Sequence, residues 1–367
     1  MDGNLSIGIV GCGSITEIGI LPHLALHGVS LEALCDIALP RVELLADQYH
    51  VPKRYTDYQK LLDDPNINAL IIASPITLHY QQAYAALTAG KHVYVQKTFT
   101  ETSQQAYELI DIAQNKNLTL AASPGQILLP VMKKAAELIR NDYLGTIYSA
   151  MSVNWAPGHE YEPSRQDTSI PALNPNWYYQ PGGGPLRDMG IYALHTLISL
   201  LGDVEEVFAY ANTPVAEKTW GESKITVNTP DNYGINLKFN NGALAQVVTG
   251  FCSMSALVEW GHISIVGSTG AMDIRRVPGF GSRYELVVNH NCSSEVERYS
   301  FGSGLGDASD AIDEAHVALD ILDFLTAVKN KKKPGASPNT AVKAIALVEA
   351  IECSIDTRQP VSVSYKK

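Results

Sequence analysis

Asp188, Tyr192 and His195 follow one another at spacings of four and three residues. On a helix advancing ~100° per residue they fall within about 60° of one face, so all three can meet one pocket. A carboxylate, a phenol and an imidazole gathered in this way suit proton transfer to or from a bound molecule. Histidine titrates near neutrality unaided, and tyrosine does so when nearby positive charge lowers its pKa.

A second pattern lies at the other end of the chain. Gly11-Cys12-Gly13-Ser14-Ile15 directly follows the apolar run Ile7–Val10 and precedes a helix-like stretch. Glycine allows a tight turn and close backbone approach, and amides at a helix N-terminus hold a pyrophosphate. This strand-turn-helix context points to a dinucleotide. The third fingerprint position is Thr16, so either a wider helix–strand spacing or a variant turn is expected. Asp36 stands 23 residues after Gly13, where a carboxylate binds ribose hydroxyls and repels a 2′-phosphate. Ile37 follows in place of an arginine, which favours NAD over NADP. The competing role for Asp36 is capping of the helix that starts near Pro40.

The elements that must position these residues are legible as two textures. Leu5–Val10, Leu31–Cys35, Ala69–Ala73, Val93–Val95 and Leu118–Ala121 are short apolar runs alternating with amphipathic stretches such as Ser103–Asn115. That alternation predicts βαβ units and a parallel sheet in a Rossmann dinucleotide-binding domain, assigned to residues 1–122. From residue 123 to 367 the pattern changes. A helix ending near Arg140, a loop from Ala156 to Pro185 and a helix to Leu201 precede period-2 runs. Gly234–Phe239 and Ala243–Gly250 flank the turn Asn240-Asn241-Gly242, which predicts a hairpin within an α+β domain carrying a large open, mostly antiparallel sheet. Helical spacing returns over Glu314–Asn330 and Thr340–Ser354.

Three further segments complete a resemblance: Ser74-Pro75-Ile76-Thr77-Leu78-His79, Ala89–Thr98 ending in Gln96-Lys97-Thr98, and Gly182–His195. Together with Gly11-Cys12-Gly13 they resemble the Gfo/Idh/MocA oxidoreductases over nearly the whole chain. The resemblance implies hydride transfer between a nicotinamide and a secondary alcohol of a sugar, glycoside or cyclic polyol. It places Ser74, Pro75, His79, Gln96 and Lys97 at the cofactor and gives Lys97, from the family's Glu-Lys-Pro motif, contact with the substrate hydroxyl. It also aligns Tyr192 with members that carry tyrosine where others have histidine. Lys97, Tyr192 and His195 all stand as the immediate proton carrier, with Asp188 orienting substrate or base. In the loop before that helix, Trp155, Trp177, Tyr178 and Tyr179 offer faces to a sugar ring, while His159, Arg165 and Asn176 offer hydroxyl ligands. The run Gly182–Gly184 is expected to let backbone approach the ligand.

Composition bounds the alternatives. A net charge of -11 opposes nucleic acid and anionic membranes as partners. Cys12, Cys35, Cys252, Cys292 and Cys353 form no C-x-x-C pair, which fits a reducing compartment without disulfides. His159-Glu160 lacks a helically spaced partner, so no metal site is expected. No basic leader and no apolar run of about 18 residues is present; a cytoplasmic location is expected. The open sheet predicts a homodimer or homotetramer. Two other functions use the same fold: glycoside cleavage through a transient keto-sugar with no net redox change, and dinucleotide sensing without catalysis. The second needs neither Lys97 nor Tyr192.

Overall fold

Ile7–Val10 and Ala69–Ile72 are buried at every position, as strands sealed by helices on both faces must be. In the computed structural model, which describes residues 5–162, 165–167, 173–251, 260–277, 282–290, 293 and 295–366, they are the centre of a six-stranded parallel sheet. Its strands are β1 (Ile7–Val10), β2 (Ala33–Cys35), β3 (Lys53–Tyr55), β4 (Ala69–Ile72), β5 (His92–Val95) and β6 (Leu120–Ala122). Their order is β3-β2-β1-β4-β5-β6. The chain therefore reverses its winding between β1 and β4, and the crevice above that reversal is where such sheets bind ligands. Sequence reading finds five of the six strands. It misses β3 because Lys53-Arg54-Tyr55 at the sheet edge carries no apolar run.

Helices cover both faces. One face packs Ile7, Ile9 and Ile71 with Leu21, Leu45, Val317, Ile321 and Phe324; the other packs Val10, Ile72 and Val95 with Ala83, Leu109, Val342 and Ile345. The helices Ala315–Asn330 and Pro338–Thr357 thus return to the first sheet after the second has been built.

The second sheet has nine strands: β7 (Ile147–Trp155), β8 (Val204–Asn212), β11 (Asn232–Phe239), β12 (Leu244–Gly250), β13 (His262–Gly267), β14 (Gly270–Arg276), β15 (Tyr284–His290), β16 (Glu297–Phe301) and β17 (Val361–Ser362). The intervening β9 (Glu217–Trp220) and β10 (Ser223–Thr226) form a separate hairpin. The order is β16-β15-β14-β13-β7-β12-β11-β8-β17, antiparallel throughout except where β7 meets β12. The expected hairpin is present, with Gly242 at a φ of 87° between β11 and β12. Alternate residues such as Ala245, Val247, Ile263 and Ile265 pack inward against helices. On the opposite face Met151, Tyr210, Leu244 and Val266 are exposed.

Two helix starts depart from the expected α geometry. Thr16–Ile20 and Leu186–Gly190 are π turns, each running into an α-helix, Leu21–Leu26 and Ile191–Leu201. A π turn adds a residue and rotates the helix beyond it, so a 3.6-residue wheel misplaces side chains across it. Cys12 and Cys35 are buried free thiols and Cys353 is an exposed one; Cys252 and Cys292 lie outside the described residues. Among the described residues no helix is long and apolar enough to cross a membrane.

Candidate functional site

One cleft runs from the turn after β1 to the loop before the second π turn, lined at one end by Gly11–Ile15 and Asp36 and at the other by Lys97, Asp188 and Tyr192. At the first end Gly11 adopts a φ of 99°, and a Cβ there would lie 2.5 Å from the carbonyl oxygen of Ala73. Only glycine fits. Thr16, in place of the usual small residue, donates its hydroxyl to the Gly11 carbonyl at 2.7 Å. The variant turn expected from Thr16 is thus the π turn that begins there.

Asp36 does two jobs at once. Its Oδ2 accepts from the Cys12 amide at 2.7 Å and its Oδ1 from the Ala38 amide at 2.9 Å, so it orders the glycine turn and the start of the next helix while facing the cleft. Ile37 beside it is 93% exposed. The nearby cation Arg41 is buried and held by Glu17 at 2.7 Å and the Cys12 carbonyl at 3.1 Å.

The residues present fit a dinucleotide. Among the described residues a Cβ built on Gly13 meets nothing within 4 Å, which leaves open space in the turn. Gln96 is buried and lines the cleft; its Oε1 takes the Lys97 amide at 2.7 Å, whereas its Nε2 has no partner among the described residues. A buried donor left without a partner is costly unless a ligand takes it. Ser74, Pro75, Gln96 and Lys97 all line the cleft. His79 does not. It is fully buried, with ring nitrogens 2.7 Å from the Thr98 carbonyl and 2.8 Å from the Ser74 carbonyl, and so ties together the two loops that do.

At the second end, Lys97 donates to the carboxylate Oδ1 of Asp188 and, at 2.8 Å, to its carbonyl oxygen. The Lys97–Thr98 peptide is cis. Thr98 donates to the Arg187 carbonyl, and Arg187 grips Glu352 through two bonds of 2.8 and 3.0 Å. The loop after β5, the π turn and the helix Pro338–Thr357 are thereby locked together, and Lys97 is held against Asp188 from both sides.

His159 reaches the same carboxylate from the loop after β7. Its Nε2 lies 2.9 Å from Asp188 Oδ2, and its Nδ1 contacts Glu162, which also takes Arg165 Nε at 2.5 Å. Burial opposes charge on Asp188, but Lys97 and His159 outweigh it and hold the carboxyl well below its usual range. Burial likewise pushes His159 down, and the carboxylates of Asp188 and Glu162 overcome it, holding the imidazole above its ordinary value. Glu162 is lowered to about 2 against its own burial, by His159 and Arg165.

Tyr192 stands apart from this chain. Lys97 Nζ lies 5.2 Å from its ring centroid, while its hydroxyl pairs with His316 Nε2 at 3.2 Å. Burial first, then Glu314 and Asp188, push the phenol well above its ordinary value. A phenol acidified by nearby positive charge is therefore not what the fold produces: burial dominates, and Lys97 turns its charge to Asp188. His195 is also corrected: it is not among the residues lining the cleft, burial drives it to about 4, and among the described residues neither ring nitrogen has a partner. Tyr192 and His195 share the α-helix beyond the π turn, yet only Tyr192 lines the cleft, while His195 is buried in the helix packing.

The loop residues divide. His159, Arg165 and Trp177 line the cleft; Trp155 and Asn176 do not. Trp177 and His159 stack on Tyr178 with centroids 3.7 and 3.5 Å away, so these faces are used on one another. Gly182–Gly184 do not reach the cleft either. A Cβ on Gly183 would lie 2.5 Å from the Trp177 carbonyl, so this glycine serves close packing of the loop on itself.

Sequence reading missed Glu314 and His316. Glu314 lines the cleft with a φ of 63° at the start of the helix Ala315–Asn330, and burial pushes its carboxyl up. An acidic residue at a helix start is so ordinary that nothing in the sequence marks it. Among the described residues no cluster of three or more His, Cys, Asp or Glu is placed to hold a metal.

Comparison with known proteins agrees with this geometry. Residues 5–123 match the model of an oxidoreductase family with an NAD-binding Rossmann fold, and residues 132–273 match a GFO/IDH/MocA C-terminal domain. The chain is 23% identical to the uncharacterized oxidoreductase YrbE of Bacillus subtilis over 98% of its own length and 96% of that protein's. It is 26% identical to D-glucoside 3-dehydrogenase of Escherichia coli over 67% of its length and 70% of that protein's. Levoglucosan dehydrogenase in complex with NADH shares the fold at a TM-score of 0.81 and 19% identity, covering 99% of this chain and all of that one.

Proposed function

This chain belongs to the Gfo/Idh/MocA family of NAD-binding oxidoreductases, and from that premise we propose that it oxidises a secondary alcohol of an uncharged sugar, glycoside or cyclic polyol with NAD. The observation that carries this reading is the Lys97–Asp188 contact at one end of a cleft whose other end is the Gly11–Ile15 turn.

The site residues take these parts. Gly11–Ile15 and Asp36 hold the dinucleotide, with Asp36 facing the ribose, and Gln96 Nε2 offers it an unpaired donor. A bound oxidised nicotinamide supplies the acceptor for the carbinol hydrogen and its electron pair. Lys97 Nζ takes the substrate hydroxyl proton, and Asp188 keeps that amine aimed and balances its charge. Tyr192 packs below Lys97 as a neutral wall. The substrate is uncharged because the cations lining the cleft already hold carboxylates: Lys97 on Asp188 and Arg165 on Glu162. A substrate phosphate or carboxylate would have to displace one of them.

Residues 1–122 serve the cofactor and 123–367 the substrate and assembly, a division supported by which strands enter which sheet. A second copy of the chain covers the face bearing Met151, Tyr210, Leu244 and Val266.

The test is a panel of neutral sugars, glycosides and polyols, with matching sugar phosphates and uronates, followed by NADH absorbance. Turnover confined to neutral compounds is expected. Aglycone release without NADH, or NAD binding with no turnover on the whole panel, overturns the reading.

A further inference from the structure

Glu314 lines the cleft with a side chain that is 25% exposed, and the function proposed above assigns it no part. The other carboxylates of the cleft are taken: Asp188 by Lys97 and His159, Glu162 by His159 and Arg165, and Asp36 by two backbone amides. Among the described residues Glu314 instead faces His316, whose Nε2 stands 3.5 Å from its Oε2. Burial, Arg276 and Lys97 drive that imidazole to about 3, so it is neutral and gives Glu314 no counter-charge. Arg276 makes its bond of 2.6 Å to Asp313. The chain nonetheless holds Glu314 in place. Its backbone is left-handed, with a φ of 63°, which a residue with a side chain adopts at a cost and keeps where its surroundings demand it. Gly19 in the first π turn gives it room, since a Cβ there would lie 2.8 Å from Glu314 Cβ.

Trp260 lines the same cleft, its ring 5.6 Å from that of Tyr192 and 6.1 Å from that of His316. Lys97 Nζ lies 5.2 Å from the Tyr192 ring, which places this corner beside the reacting end. A reachable carboxyl group among aromatic rings suits a polyhydroxylated ring, which offers C–H faces to aromatics and O–H edges to acceptors.

We propose that Glu314 and Trp260 form a second subsite for the substrate ring: Glu314 accepts a hydroxyl other than the one oxidised at Lys97, and Trp260 packs on the ring beside it. The inference rests on the oxidoreductase reading for which hydroxyl reacts and not for the subsite itself. A carboxyl group accepts from a hydroxyl whether it is ionised or protonated. The substrates are therefore cyclic polyols or glycosides with more than one free hydroxyl, and a ring lacking the hydroxyl that meets Glu314 binds poorly.

The test measures binding to the full chain loaded with NADH, which cannot oxidise the probe. Methyl β-D-glucopyranoside and myo-inositol, each with its monodeoxy analogues, are titrated by calorimetry. Glu314→Gln is expected to weaken a parent probe by about tenfold and Glu314→Ala by up to about a hundredfold. Unchanged NADH affinity reports an intact fold. One monodeoxy analogue should lose as much in the unaltered chain and nothing further in Glu314→Ala, a coupling that a merely structural role for Glu314 does not produce. If Glu314→Ala does not fold, Glu314→Gln carries the same cycle. Trp260→Leu should weaken every probe, deoxy or not. Additive losses in the cycle, equal binding by the Glu314 variants and the unaltered chain, or binding of neither probe family by the unaltered chain overturns the proposal. Coupling in a chain that makes no NADH from these compounds upholds the subsite and counts against the function proposed above, whereas turnover without coupling strikes the subsite alone.

Discussion

Lys97 and Asp188 lie 91 residues apart in sequence and meet twice, the lysine ammonium donating to the aspartate's carboxylate and to its carbonyl oxygen. Asp188 is 3% exposed. A carboxylate so buried stays ionised only with such a partner, and the partner's amine is fixed in turn on the cleft wall.

Lys97→Ala is expected to lower kcat by about 10²–10⁴, the range for loss of a positioned acid–base group. Cofactor affinity, followed by NADH fluorescence titration, should change by less than about fivefold, because the glycine turn and Asp36 are remote from the substitution. Near-normal turnover would remove Lys97 from the chemistry.

Tyr192→Phe separates the lysine from the tyrosine. The phenol is held above its ordinary value by burial and pairs with His316, so its loss should cost less than about tenfold in kcat. A loss approaching the general acid–base range of about 10²-fold or more would make the hydroxyl a proton carrier. Steady-state rates at several pH values decide between them.

Asp36→Ala should weaken NAD binding by about tenfold or more and narrow the preference for NAD over NADP. The variant frees the Cys12 and Ala38 amides and, on the function proposed above, loses the carboxylate that would face the ribose and repel a 2′-phosphate. Paired Kd measurements for both cofactors test it; an unchanged ratio would leave Asp36 as a purely structural cap.

Asp320 carries a pH dependence of stability. Burial, against bonds from Gly125 and Ser123, raises its carboxyl to about 7. A raised folded-state value means the protonated form is the one the fold favours. Its contribution is complete below the unfolded value near 3.8 and is lost as pH rises through about 7. Asp320→Asn should therefore melt higher than the parent at pH 8, by on the order of a few degrees, with the difference shrinking by pH 5. Melting curves that stay parallel across that range would contradict it.

Much of the fold was written in local pattern. β1, β2, β4, β5 and the helix Ser103–Asn115 follow from apolar runs and helical spacing, and the β11–β12 hairpin from Asn240-Asn241-Gly242. The edge strand β3 was not, since a strand with a polar sequence is defined by its neighbour β2 rather than by its own residues. His195 was misplaced because helical spacing gives the side of a helix a residue lies on but not which neighbours bury that side. Trp155, Asn176 and Gly182–Gly184 were drawn to the cleft by residue type, whereas the end of β7 fixed the first and loop packing the others.

The sequence by itself marked the glycine turn and Asp36, because each is a residue type at a fixed place in a local strand-turn-helix pattern, and singled out Lys97 and Asp188 separately through the motifs they resemble. Tertiary structure alone decided what Lys97 points at, that Tyr192 answers to His316, that His159 turns its ring to Asp188 and Glu162, and that Glu314 closes on the same cleft. Those choices rest on burial and on charges brought together from β5, the loop after β7, the second π turn and the helix Ala315–Asn330. Burial and Coulomb interaction act through space, and no spacing along the chain encodes them.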